Sequence, residues 1–202
     1  MSIKIAFFDV GGVVLSNAWD HRERMGAAER FQIDRAGFEA QHERWAPELE
    51  RGAITLDAYL AKTVFDRPCD FSPADFREYM LAMTESKPES IAILADLKAA
   101  GRARLATLNN EGRELNEYRI TRFELSRYFE VFCSSCYLGA RKPDEMFYHR
   151  ALGIVQTPAA DCLFVDDREE NLAVPRALGM DSIRFESAAQ LRAQLLQRGL
   201  LG

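Results

Sequence analysis

Two stretches of this chain place carboxylates at the ends of apolar runs. In Phe7-Phe8-Asp9-Val10-Gly11-Gly12-Val13-Val14 an aspartate closes the run and two glycines follow almost at once. Gly11 and Gly12 let the backbone turn sharply and approach a ligand closely. In Cys162-Leu163-Phe164-Val165-Asp166-Asp167 two adjacent acids close a second run. Like charges so close repel, and neutral surroundings would raise one of their pKa values. A divalent cation removes that conflict. Hard oxygen ligands suit Mg²⁺, which keeps several waters and binds through one or two carboxylates plus a phosphate. Leu108-Asn109-Asn110 ends a third run, where amide side chains and free backbone N–H groups can hold anionic oxygens. Gly139-Ala140-Arg141-Lys142-Pro143-Asp144 places a cation in a loop ahead of a helix. Lys142 is its candidate for holding phosphate oxygens or orienting a carboxylate. Taken singly, each has a plainer reading: Asp9 caps a turn, the acid pair and the basic loop are solvated, and Asn-Asn is common turn chemistry.

The elements that must position these residues read as a parallel sheet. Short apolar runs at 3–8, 103–108, 130–133, 162–165 and 182–185 have the look of strands buried on both faces. Helical patterns lie between the later ones. Pro88 opens one, Ile91, Leu94 and Leu97 carry its stripe, and Gly101 ends it. Asp144 opens another through Phe147, Tyr148 and Leu152, closed by Gly153. A third, over 169–178, is closed by Gly179 and interrupted by Pro175. Alternating strand and helix means βαβ units and a sheet covered on both faces. In such sheets ligands bind beyond the carboxyl ends of the strands, where the acids stand. Residues 19–83 break the alternation. They read as amphipathic helices over 21–31, 34–50, 55–65 and 72–83, the last opening on the capping-box-like Ser72-Pro73-Ala74-Asp75. A helical block after the first strand is a second, small domain.

The 202 residues allow one large domain or one with a modest insertion, at ~150 residues per domain. With 48% apolar and 28% charged residues, disorder is excluded as the main state. Lys plus Arg is 26 and Asp plus Glu 31, a net charge of −5. That gives no general pull toward nucleic acid or an anionic membrane, so an anionic ligand needs a local positive site. No apolar run approaches the ~18 residues of a membrane span. The start Met1-Ser2-Ile3-Lys4-Ile5 runs straight into a strand without a charged-then-apolar leader. Together with four cysteines, too few for a disulfide framework, this predicts a soluble cytoplasmic protein with reduced thiols.

Other features carry less. Cys133-Ser134-Ser135-Cys136 has redox or zinc half-site spacing, but no second Cys or His pair follows at zinc spacing. His42-Glu43 lacks the second His of a zinc-protease helix, since Ala46 stands there, and reads as helix surface. Trp45 reads as core of the helical block. The role of Trp19, near Asp9 in sequence, stays open.

The order of the motifs is more telling than any one of them. Strand-Asp, inserted helices, strand-Asn-Asn, Arg-Lys-Pro before a helix, then strand-Asp-Asp resembles the haloacid dehalogenase-like hydrolase superfamily over nearly the whole chain. Glu50-Arg51-Gly52-Ala53-Ile54-Thr55, Leu138-Gly139-Ala140-Arg141-Lys142-Pro143 and Phe164-Val165-Asp166-Asp167 with Asn171 are similar to the subgroup that includes bacterial sugar-phosphate phosphatases. The resemblance implies an α/β Rossmann-like parallel sheet of order 5-4-1-2-3, with a core of residues 1–15 and 85–202 and a helical cap at 16–84. It implies a catalytic set of Asp9 as nucleophile, Asn109 and Lys142. It also implies Mg²⁺ held by Asp9, the Gly11 carbonyl and Asp167, with Asp166 behind. Gly11, Asn110 and Lys142 then approach the substrate. Two positions depart from the family pattern. Gly11 stands where phosphatases usually carry a second Asp as general acid and base, and Asn109 where a Ser or Thr is usual. Some phosphatases of the similar subgroup also have Gly there, so an active enzyme remains compatible.

The expected function is Mg²⁺-dependent hydrolysis of a small phosphate monoester, such as a sugar phosphate, through an aspartyl phosphate. Two alternatives stand beside it. In a C–halogen hydrolase of the same superfamily the aspartate attacks carbon and no leaving-group acid is needed. The other is a non-catalytic protein that binds a phosphorylated metabolite.

Overall fold

The structure is a computed structural model and describes residues 2–202. Five strands, β1 (Ile5–Phe8), β2 (Arg104–Asn109), β3 (Val131–Ser134), β4 (Cys162–Asp166) and β5 (Asp181–Arg184), form one sheet in the order β3-β2-β1-β4-β5. Every pairing is parallel. Read from the other edge, this is the expected order 5-4-1-2-3.

Strand β1 lies at the centre, with Phe8 opposite Thr107 on one side and Val165 on the other. Its residues divide between two cores. Ile5 and Phe7 pack with Leu108, Phe147 and Phe164. Ala6 and Phe8 pack with Leu94, Leu97 and Leu105. A strand covered on both faces cannot alternate apolar and polar residues, so its sequence is an unbroken apolar run. Burying each large side chain of that run contributes ~1.5–3 kcal/mol, which holds the carboxyl end of β1 in place.

Between β1 and α5 (Pro88–Ala100) lie α1 (His21–Arg30), α2 (Arg35–Glu50), α3 (Leu56–Thr63) and α4 (Pro73–Ala82). They surround an apolar cluster of their own that includes Phe38, Tyr59, Phe76 and Met80. Ser72 and Asp75 close a full capping box on α4, as the sequence suggested. Thr55 is the N-cap of α3, its side chain accepting from Ala58 N.

The remaining helices are α6 (Arg113–Arg122), α7 (Ser135–Leu138), α8 (Glu145–Val155), α9 (Ala173–Ala177) and α10 (Ala188–Gln197). Gly153 does not end α8. The helix runs on to Gln156, which takes the left-handed conformation at φ 51°. The pattern over 169–178 is split into a 3₁₀ turn at Glu169–Asn171 and the short α9 around Pro175. Helix α6 went unread because its buried residues include the polar Asn116 and Arg119. In α10 only Leu191 and Leu195 are buried, too thin a stripe to stand out. Among the described residues no helix is long and apolar enough to cross a membrane.

Candidate active site

A cavity of about 450 Å³ lies where the loops at the carboxyl ends of the strands meet the helical block; Asp9, Gly11, Asn110 and Lys142 are among its lining residues. Asp9 follows β1 directly, and its backbone N–H donates to Val165 O at 2.9 Å. Its Oδ1 accepts from the Val10 N–H at 2.8 Å, and Oδ2 lies 3.0 Å from Lys142 Nζ. Lys142 is 2% exposed and also donates to Asp166 Oδ2 at 2.6 Å. Asn110 holds the lysine loop by its backbone: Oδ1 accepts from Lys142 N at 2.8 Å and Nδ2 donates to Lys142 O at 3.1 Å.

The adjacent acids of β4 differ in their surroundings. Asp166 is fully buried and accepts from Lys142 Nζ, from Asn171 Nδ2 and from the Arg168 N–H. Asp167 has a buried Oδ1 without a hydrogen-bond partner. An unpaired buried oxygen of this kind costs about 1–3 kcal/mol or more. Oxygens of Asp9, Asp166 and Asp167 lie within 4.8 Å of one another. Burial, reinforced by Asp166 and Asp167, raises Asp9 to about 7 against the pull of Lys142. Burial and the neighbouring Asp166 raise Asp167 as well. A hard divalent cation would satisfy the orphaned oxygen and relieve both effects, so the residues present fit Mg²⁺.

The two glycines serve different purposes. Gly12 has φ 79°, and a Cβ there would stand 2.3 Å from Asp167 Oδ2. Only glycine lets the turn pass so near that carboxylate. Lys87, at the start of α5, donates to the Gly12 carbonyl and supports the turn from behind. Gly11 needs no left-handed backbone. A Cβ there would meet Asn17 Oδ1 at 3.1 Å and Arg119 Nη1 at 3.7 Å.

Asn109 is not part of the cavity wall. It is 1% exposed and paired across the sheet with Ser134. Ser134 Oγ donates to its Oδ1 at 2.9 Å, and its Nδ2 donates to Asn116 Oδ1 at 3.2 Å. Of the Asn-Asn pair, Asn110 is the one that lines the cavity.

Several further residues line the cavity. Glu111 accepts from Arg119 Nη1 at 2.7 Å; burial raises it to about 7 against that pull. Two ion pairs join the helical block to the loops of the sheet, Arg168–Asp20 at 3.0 Å and Arg141–Glu50 at 2.7 Å. His42 also lines the cavity, correcting its reading as helix surface. Its Nδ1 lies 2.7 Å from Tyr59 Oη, which accepts from Trp19 Nε1 at 3.2 Å. Trp19 likewise lines the cavity, with its ring edge-on to Phe38 and Phe76. The shared signal, unread in one dimension, is three ring side chains with polar atoms, spread over residues 19–59. All four cysteines are free. Burial pushes the Cys133 and Cys136 thiols up to about 12, which leaves them inert at neutral pH.

With this fold and site in view, the comparisons are consistent with one another. The family model described as haloacid dehalogenase-like hydrolase matches residues 3–179. The chain belongs to that family and is a hydrolase. Among curated relatives, the sesquiterpene phosphatase astK of Aspergillus oryzae is 26% identical over 97% of this chain and 96% of its own length. Flavin mononucleotide hydrolase 1 of Arabidopsis thaliana is 35% identical over 79 residues, 39% of this chain and 32% of the relative. Among solved structures, a HAD family enzyme of Bacteroides thetaiotaomicron superposes with a TM-score of 0.82 at 18% identity, covering 95% of this chain and 99% of that one. The same enzyme has been solved in complex with magnesium and inorganic phosphate, with a TM-score of 0.76 at 19% identity over 94% of this chain and 99% of that one.

Proposed function

We propose that the protein is a Mg²⁺-dependent phosphatase of small phosphate monoesters, a sugar phosphate being one such substrate, acting through Asp9. The observation that carries this reading is the cluster itself: Asp9 and Lys142 in contact at 3.0 Å, beside an Asp167 oxygen that has no partner. Asp9, the Gly11 carbonyl and Asp167 would hold the ion. Asp166 would stay behind, occupied by Lys142, Asn171 and the Arg168 N–H. Bound Mg²⁺ supplies charge neutralisation between carboxylate and phosphoryl oxygens.

A carboxylate oxygen of Asp9 attacks phosphorus. The bond from phosphorus to the leaving oxygen breaks, and that oxygen takes a proton from solvent as it departs. Water then attacks phosphorus and gives up a proton to solvent, the bond to Asp9 breaks, and the carboxylate is restored. Lys142 orients Asp9 and balances the phosphoryl charge, and Asn110 holds the Lys142 backbone in place. Asn109 supports this edge from within the sheet. Residues 16–84 act as a cap over a core of residues 1–15 and 85–202, and closure of the cap limits water. The acid cluster weighs against a C–halogen hydrolase, which needs no cation.

The test is phosphate release from several dozen phosphorylated metabolites, with Mg²⁺ and after exhaustive chelation. Release from at least one, lost on chelation and restored by Mg²⁺, is the expected result. Haloacid turnover that survives chelation would overturn the reading.

A further inference from the structure

The contacts behind His42 determine what the helical block offers a ligand. An indole N–H donates only, so Tyr59 Oη is the acceptor in the 3.2 Å bond from Trp19 Nε1. Tyr59 is fully buried, so no solvent reaches its own proton. The Thr63 hydroxyl donates to the Tyr59 backbone carbonyl at 2.9 Å, and the hydrogen-bond partners of Tyr59 Oη are Trp19 Nε1 and His42 Nδ1 alone among the described residues. The partner left for the tyrosine proton is His42 Nδ1, at 2.7 Å. If His42 Nδ1 carried a hydrogen instead, two donors would face Tyr59 Oη and its proton would be stranded. The hydrogen of the neutral ring therefore sits on Nε2. Among the described residues no protein group pairs with that atom, while the ring lines the cavity.

The charged groups facing His42 are already matched. Arg24 donates to Glu39 at 2.6 Å, Asp20 meets Arg168 and Glu50 meets Arg141. Burial, with Arg24 adding to it, pushes His42 down to about 4. The ring is neutral throughout the neutral range.

We propose that the His42 Nε2–H is a fixed, uncharged hydrogen-bond donor that selects the substrate's leaving group. It requires an oxygen acceptor there, such as a ring hydroxyl or a carbonyl. This rests on the phosphatase reading and sharpens it. An isoprenoid hydrocarbon chain offers no such oxygen and would leave the donor stranded, so the favoured class is hydroxylated phosphate esters. Trp19 and Tyr59 are positioning residues that act through His42.

The first measurement needs no substrate. Long-range ¹H–¹⁵N correlation of the intact labelled protein should show the Nε2–H tautomer at His42, unchanged from about pH 5 to 8. Tyr59→Phe should mix the tautomers. The second compares two probes with Mg²⁺, a hexose phosphate and phenyl phosphate. His42→Phe should raise KM for the hexose phosphate about 5- to 20-fold, with kcat little changed and phenyl phosphate unaffected. His42→Gln, which keeps an N–H donor, should recover part of the loss. An Nδ1–H tautomer, titration near the ordinary value of about 6.5, or equal losses on both probes would overturn the proposal. Wild-type protein that holds the Nε2–H tautomer yet hydrolyses no phosphate ester would overturn the phosphatase reading and leave the fixed Nε2–H donor standing.

Discussion

The two walls of the cavity are built in different ways. On the sheet wall Asp9 and Lys142 line the cavity with Asp166 and Asp167 beside them; the three acids stand directly at the ends of strands, and Lys142 sits two residues before the N-cap of α8. On the helical wall Trp19 and His42 line the cavity from a loop and a helix, and they are joined behind it by Tyr59 from another helix, so they meet only through packing. A sheet fixes its reactive groups by position along a strand. A helical block fixes them by which faces happen to meet. The groups of the first wall can therefore be read locally in the sequence, and those of the second cannot.

The sheet wall lacks a carboxyl at Gly11, and this gives the largest expected effect. A positioned acid is worth about 10²–10⁴-fold, or ~3–5 kcal/mol of barrier. Without one, log(kcat/KM) should fall steeply with leaving-group pKa across a series of aryl and alkyl phosphates. A flat line would mean that a donor in the cavity replaces it, Glu111 being the raised carboxyl at hand.

The contrast between the two acids of β4 should be next in size. Asp167→Asn is expected to weaken Mg²⁺ binding about 100-fold or more, because losing a direct ligand costs at least the upper end of what losing a supporting group does, with little change in stability. Asp166→Asn leaves the buried Lys142 with Asp9 alone. It should cost about 3 kcal/mol of stability, the lower end for breaking a buried pair, and affect binding less. Calorimetry and denaturant unfolding of both variants separate the two. Equal Mg²⁺ affinities in both variants and wild type would refute the assignment.

That contrast also marks how far the sequence could be read. Buried parallel strands are apolar runs, so the acids that end them stand out, and the fold, Asp9, Lys142 and the acid pair were legible. Asn109 and Asn110 were not separable, because the end of β2 falls between them: Asn109 is its buried last residue, and Asn110 begins the loop that lines the cavity. Helix α6 was hidden because Asn116 and Arg119 are buried polar residues that serve Asn109 and Glu111. His42 looked like surface because its partner, Tyr59, lies on another helix.

The smallest effect lies on the helical wall. The hydrogen bond from Arg24 outweighs burial and holds Glu39 down at about 2, below its usual 4.5. A carboxyl depressed on folding adds stability above its unfolded pKa and loses it as pH falls through the folded value. Glu39→Gln should thus destabilise the protein by ~2 kcal/mol near neutral pH. The difference should shrink between about pH 4.5 and 2. Urea unfolding at several pH values checks this; a gap that widens toward acid would contradict it.

The central claim is that Asp9 carries the phosphoryl group. Acid quenching during turnover, followed by borohydride reduction, converts an aspartyl phosphate to homoserine, which peptide mass spectrometry locates. The account predicts homoserine at position 9, formed only when a substrate is being hydrolysed. Undiminished turnover with an unmodified Asp9, or modification at another carboxylate, would contradict it.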